Sequence, residues 1–187
     1  MNAMPVAQRI TADDYLALDL EPGHELIDGH IVVSQARLPH ARLAMRLILA
    51  LSDWIRASPK RGFLTIPIDV KLDDLNVYAP DLLWYREERT PQSEAPWPYP
   101  IPDLAIEIRS PSTWRYDVGT KKRVYEREGL PELWLIDGES GVVLVFRRSV
   151  PTAPVFDVEL ELDHAATLTS PLLPGFALDV GALSELD

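Results

Sequence analysis

Apolar and polar positions along the chain fall into two periods. From Arg37 to Ala57, Leu43, Leu47, Ile48, Leu51, Trp54 and Ile55 recur every three or four residues, with arginines on the other face. That spacing predicts an amphipathic helix, stopped by Ser58-Pro59. A shorter helix is expected from Thr11 to Leu18, where Thr11 supplies an N-cap and Asp13 and Asp14 suit the positive end. A third runs from about Trp114 to Glu128 and is closed by Gly129 and Pro131.

The other segments read as strands. Glu25-Leu26-Ile27 and Ile31-Val32-Val33 flank Asp28-Gly29, a strong hairpin signal. Phe63 to Leu72 is β-branched and reads as one strand, with the internal Pro67 marking an edge or a bulge. A turn around Asp73-Asp74 leads to a strand from Val77 to Tyr85, and further strands cover Leu104–Ile108, Glu132–Asp137, Val142–Phe146 and Val155–Leu162. The stretch Thr90–Pro102, rich in Pro and holding Trp97, is an irregular loop, either a lid or substrate contact or a plain insertion. A short helix near Val180 to Leu186 closes the chain. Hairpins first, then one β-α-β crossover from Leu104 to Ile136, predict an α/β (α+β) domain with a mixed sheet, spanning residues 1–187 as one unit.

Composition narrows the chemistry. Apolar content is ordinary and no apolar run approaches the ~20 residues of a membrane span. The first residues, Met1 to Gln8, lack the pattern of a secretory signal, which points to a cytoplasmic protein. With no cysteine, any metal would be held by oxygen or imidazole. The net charge of −11, from 18 basic and 29 acidic residues, weighs against indiscriminate nucleic-acid binding. Between Ala105 and Arg127, however, Arg109, Arg115, Lys121, Lys122, Arg123 and Arg127 outnumber Glu107, Asp117 and Glu126, a locally basic stretch.

Two carboxylates stand out because each sits alone in an apolar strand: Asp81 ahead of Leu82-Leu83-Trp84, and Glu107 between Ile106 and Ile108. Burying a carboxylate is costly unless it is paired or bound to a metal. Side chains on one face of neighbouring strands can share a single ion, and hard oxygen ligands suit Mg²⁺, with Mn²⁺ as a substitute. The plainer account pairs each acid with a nearby cation such as Arg109 or Arg86. On the following helix Asp117, Lys121 and Tyr125 are four residues apart and share a face, so Lys121 either reaches back toward the metal or forms a surface pair with Asp117. Lys122 points elsewhere and reads as solvated. Two strand-borne acids and a lysine are the parts of a metal-dependent phosphodiester hydrolase. A glycosidase-like pair of carboxylates has less support, since no aromatic platform flanks either acid.

The order of these strings resembles the Uma-two family of restriction-endonuclease-like proteins, within the PD-(D/E)xK nuclease superfamily. The resemblance runs through Glu25-Leu26-Ile27-Asp28-Gly29, His40 and Pro80-Asp81-Leu82-Leu83. It continues through Glu107-Ile108-Arg109-Ser110-Pro111-Ser112-Thr113, the Asp117…Lys121…Tyr125 helix, Gly129 to Asp137 and Leu173-Pro174-Gly175-Phe176. It implies a restriction-endonuclease-like core, a central mixed sheet flanked by helices, and an endonuclease acting on DNA. Asp81 and Glu107 are implied as metal ligands, the Ile108 carbonyl as a further one, and Glu25 as an auxiliary metal- or water-orienting residue. Members of the superfamily usually place lysine two residues after the second acid. Here Arg109 stands there, so the resemblance assigns the catalytic cation to Lys121. Arg109, Arg115 and Lys122 are candidate phosphate contacts, and Trp97 and Trp114 are placed where base stacking is conceivable. The alternative is a nucleic-acid-binding or regulatory protein that keeps the nuclease fold without strong catalysis. A homodimer is in keeping with one site cutting one strand.

Overall fold

In a computed structural model, residues 9–184 are described, except 19, 35, 93 and 112. The expected hairpin forms from β1 (His24–Ile27) and β2 (His30–Val33). Its turn residues Asp28 and Gly29 both have positive φ, 52° and 77°, as a two-residue type I′ turn requires. Ahead of it, α1 (Ala12–Leu16) starts with a capping box between Thr11 and Asp14. The long helix α2 (Leu38–Arg56) keeps its sequence boundaries to within a residue.

Two segments read as single strands are each divided. Phe63–Leu72 becomes β3 (Phe63–Thr65) and β4 (Val70–Asp73). Val77–Tyr85 becomes β5 (Asn76–Tyr78) and β6 (Leu82–Tyr85). Pro67 and Pro80, which lack a ladder N–H, lie in the breaks, and at each break the chain passes from one sheet to another. β1, β2, β4 and β5 form a four-stranded sheet in the order β2-β1-β5-β4. β3 and β6 join β7 (Leu104–Ile108), β8 (Glu132–Asp137), β9 (Val142–Arg147) and β10 (Val158–Leu162) in a six-stranded sheet, ordered β10-β9-β8-β7-β6-β3. Among the described strands β7 and β8 pair in parallel, as the crossover predicts, and the other strand pairs are antiparallel; a single parallel bridge joins Val70 to Tyr99. Near the end, β11 (Thr167–Leu168) pairs with β12 (Leu178–Asp179), and α5 (Gly181–Ser184) closes the described residues.

Strand alternation decides which side chains meet. From β7, Leu104, Ile106 and Ile108 pack with Leu47, Leu51 and Trp54 of α2, with Trp84 and Trp134, and with Leu173 and Phe176. Ala105 points to the opposite face, where Leu133 and Leu135 meet Val124 and Tyr125 of the crossover helix and Ile27 and Tyr78 of the smaller sheet. The smaller sheet packs its far side, through Leu26 and Val77, on Ala12 and Tyr15 of α1. Glu107 shares the parity of Ala105 and so faces the smaller sheet.

The stretch after β6 is tied down rather than poised over a site. Asp103, buried, bonds the Arg86 amide and Arg89 and pairs with both arginines. Tyr85 donates to the Pro100 carbonyl, and Trp97 to Asp69. Among the described residues, none of 90–102 lines the carboxylate cavity described below.

Candidate active site

β6 and β7 are antiparallel with Leu82 opposite Ile106 and Leu83 opposite Ala105. Extending that register by one residue sets Asp81 beside Glu107 on the same face, which is how the two acids come to line one cavity of about 180 Å³. Asp81 stands just before β6, in the Pro80 break, rather than within a strand. Glu25 enters from β1 across the gap between the sheets. Asp117 and Lys121 come from the crossover helix, which is not uniform: α3 (Trp114–Tyr116) passes into a π-helical turn (Asp117–Lys121) and then α4 (Lys122–Arg127). The amide of Lys122 reaches the Asp117 carbonyl, the five-residue span of a π turn, a feature frequent at functional sites.

Lys121 is the hub. It is 2 % exposed, and its Nζ lies 2.7 Å from Glu107 Oε1, 2.9 and 3.2 Å from the two Glu25 oxygens and 3.3 Å from Asp117 Oδ1. The pair with Asp117 is therefore buried and part of a larger network, not the surface pair of the plainer reading. The last of those contacts is poorly aligned, so Asp117 Oδ1 is buried without a hydrogen bond. Tyr125 donates to Glu107 Oε1 at 2.8 Å, and the Ala79 amide to Glu25 Oε1 at 2.9 Å. Asp81 Oδ2 accepts from the Ile108 amide at 2.7 Å and lies 3.1 Å from His40 Nε2.

These contacts set the protonation states. Burial alone would lower the Lys121 pKa, but Glu107, Glu25 and Asp117 together outweigh it and hold the ammonium well above its ordinary value. Burial pushes Glu107 well above the carboxylate range, against the pull of Lys121 and with further repulsion from Asp117, Glu25 and Asp81. Asp117 is raised to about 6, mainly by burial. For His40 burial again opposes the charge, and the bond to Asp81 overcomes it, leaving the imidazole above its usual value. A lysine held charged in this way is an electrostatic and hydrogen-bonding group and not a base at neutral pH.

Three cations from the sequence reading lie elsewhere. Arg109 turns away from the acids, pairs with Asp137 at 2.6 Å and Glu139 at 3.3 Å, and lies 5.7 Å from the Trp114 ring. Arg115 stacks on Tyr116, and Lys122 pairs with Glu159 over the Phe146 ring. Neither Arg115 nor Lys122 lines the carboxylate cavity. Sequence reasoning undervalued His40, Asp117 and Tyr125. The four-residue spacing of Asp117, Lys121 and Tyr125 was the available signal for the last two, and nothing local marks His40 as a partner of Asp81.

The groups around the cavity that could ligate a metal are oxygen donors and the imidazoles of His24 and His40, a set that suits a hard divalent ion. Four carboxylates there face one ammonium, so negative charge is in excess, and Asp117 Oδ1 is a buried acceptor still lacking a donor. Among the described residues no three His, Asp or Glu groups form a ready-made metal cage. Lys121 explains this, since it draws Glu25 and Glu107 to itself while Asp81 bonds His40. The donor types thus suit an ion chemically, while their present contacts are with one another and with Lys121.

A family model described as "Putative restriction endonuclease" matches residues 12–181. Among solved structures, a "putative nuclease belonging to DUF820" from Anabaena variabilis is similar, with a TM-score of 0.79 at 21% identity over 94% of this chain and 97% of that one. At that identity the likeness establishes a shared fold, a mixed sheet flanked by helices. A search of curated proteins yields no match. Among the described residues no helix is long and apolar enough to cross a membrane.

Proposed function

The chain belongs to the Uma2 family of putative restriction endonucleases, and from that premise we propose that it is a Mg²⁺-dependent endonuclease hydrolysing DNA phosphodiester bonds. The observation that carries this reading is the placement of Asp81 and Glu107 side by side on one sheet face, lining one cavity with Lys121. In this reading Asp81 and Glu107 hold the ion, with Mn²⁺ as a substitute. When bound, the ion supplies Lewis-acid polarisation of the phosphate and a more acidic water.

The chain's own residues do the rest. The Ile108 amide and His40 fix Asp81, and Tyr125 fixes the Glu107 carboxylate. Glu25 anchors Lys121, whose charge faces a phosphate oxygen and stabilises the negative charge that builds up during in-line attack. Arg109, outside the cavity, is assigned to a neighbouring phosphate. Because one site cuts one strand, a double-strand break calls for a homodimer.

The test is incubation of the purified protein with supercoiled plasmid and Mg²⁺ or Mn²⁺. Nicking is expected from the wild type and not from Asp81→Asn or Glu107→Gln; variants that cut as well as wild type would sink the site assignment. A second reading, a DNA-binding protein that keeps the fold without cutting, is favoured by one observation: Lys121 is already engaged by three carboxylates. A wild type that retards DNA in a gel and never nicks it selects that reading.

A further inference from the structure

We propose that the groove beside the carboxylate cavity is a track for the phosphates of a duplex DNA strand, with Arg37 and Arg42 as its principal contacts. The inference rests on the endonuclease reading of the adjacent site and extends it to residues outside that site. The groove encloses about 430 Å³ and is walled by Arg37, Arg42 and Arg46 from the start of α2 and by Arg109 beyond the end of β7. Among the described residues, Glu139 is the one acid that lines it. In a chain of net charge −11, with 18 cations in all, four arginines converge on this cleft.

Two of these arginines are accounted for by the fold. Arg46 donates to the carbonyls of Ala182 and Leu183 and so ties α2 to α5. Arg109 is paired with Asp137 and Glu139. Arg37 and Arg42 are exposed and have no ion pair or side-chain hydrogen bond among the described residues. Their guanidinium groups suit the planar, two-point recognition of a phosphate. The N-terminal end of α2, which has no side-chain cap, adds positive potential to the same wall.

Position supplies the link to function. His40 lines both cavities, and Ser110 of the groove lies three residues after Glu107. A strand with one phosphodiester at Asp81 and Glu107 therefore carries its next phosphates along Arg109, Arg42 and Arg37. Contacts of this kind fix the register of the duplex and read no sequence. The groove sets affinity and leaves base preference to other parts of the protein.

The experiment measures binding of a fluorescently labelled short duplex to the full chain by anisotropy, without divalent ions, over a range of salt concentrations. Each lost phosphate contact removes about 0.9 from the slope of log K against log salt, so Arg37→Ala/Arg42→Ala should flatten it by about 1.8 and weaken binding roughly 60-fold at about 0.1 M salt. Arg56→Ala/Arg123→Ala, an equal loss of charge away from the groove, should bind like wild type. Both pairs are exposed, and circular dichroism checks that each variant is folded.

If the groove variant binds like wild type, or if the control weakens binding as much, the groove assignment falls while the endonuclease reading stands on the nicking assay. Competition by polyglutamate as strong as that by duplex would give the groove to an acidic protein and overturn the assignment. A wild type that binds no duplex even at low salt removes both the groove and the DNA reading.

Discussion

Replacing Lys121 by methionine keeps the length of the side chain and removes its charge. The variant leaves Glu25 and Glu107 buried without the cation that each contacts within 3 Å, and Asp117 without its nearest positive charge. Breaking a buried ion pair by deleting one partner costs about 3–5 kcal/mol, because the remaining charge stays desolvated. Against a total stability of about 5–15 kcal/mol for a domain, that is a large share. For a chain of this size it corresponds to a fall in melting temperature of roughly 6–20 °C. Thermal unfolding followed by circular dichroism reads it directly.

The pH dependence of that loss tests the cause. Wild-type Lys121 has a raised pKa, so its contribution is complete below the ordinary lysine value of about 10.5 and fades only as pH rises beyond it. In the variant the orphaned carboxylates escape their predicament by taking up protons. The deficit should therefore be smaller at about pH 5 than at about pH 8, since the folded variant binds protons more tightly than its unfolded chain. A variant that melts within a degree or two of wild type at neutral pH, or whose deficit grows on acidification, would refute the picture of Lys121 as the counter-ion of this cluster.

Other outcomes follow from separate parts of the fold. Glu132 is buried and accepts from Trp134 Nε1 and Ser170 Oγ, and burial raises its pKa despite those bonds. Wild-type stability should thus fall as pH rises above the ordinary glutamate value, and Glu132→Gln should gain on wild type between acid and neutral pH; parallel curves for the two proteins in urea unfolding would count against this. Gly62 has φ of +79°, and an added Cβ would lie 2.1 Å from the Tyr85 carbonyl oxygen. Gly62→Ala should cost more than the ~1–2 kcal/mol of a left-handed residue alone, because the contact is with backbone; a loss below about 0.5 kcal/mol by chemical denaturation would contradict it.

Elements that declare themselves locally were legible in the sequence. The Asp28-Gly29 hairpin, the periodic face of α2 and the buried β7 each depend on residues a few positions apart. The division of Phe63–Leu72 and Val77–Tyr85 between two sheets depends on pairing with β1, β6 and β7, which no local pattern encodes. Pro67 and Pro80 marked the breaks without revealing that the chain changes sheet there. At the site, the family's strings brought forward Glu25, Asp81, Glu107 and Lys121, and all four line one cavity. The depth of Lys121 was not legible, because a lysine four residues after an aspartate looks the same on a surface helix as in a core. The arginines of α2 were visible as its polar face, but that Arg37 and Arg42 converge with Arg109 on one groove emerges only in three dimensions.

The π turn has a consequence for helical phase. Asp117 and Tyr125 are eight residues apart, and eight residues of uniform α-helix overshoot two full turns by about 80°. The wider turn takes up that excess and lets Asp117, Lys121 and Tyr125 face the same cavity. Removing one residue from it, for instance Gly119, would tighten the segment into a plain α-helix in which Asp117 turns relative to Lys121 and Tyr125, whose own four-residue spacing is unchanged. The segment carries one residue of slack, and the phase between Asp117 and the stretch bearing Lys121 and Tyr125 is what that slack sets. Shortening the helix by that residue therefore shifts Asp117 against the ammonium and the tyrosine together.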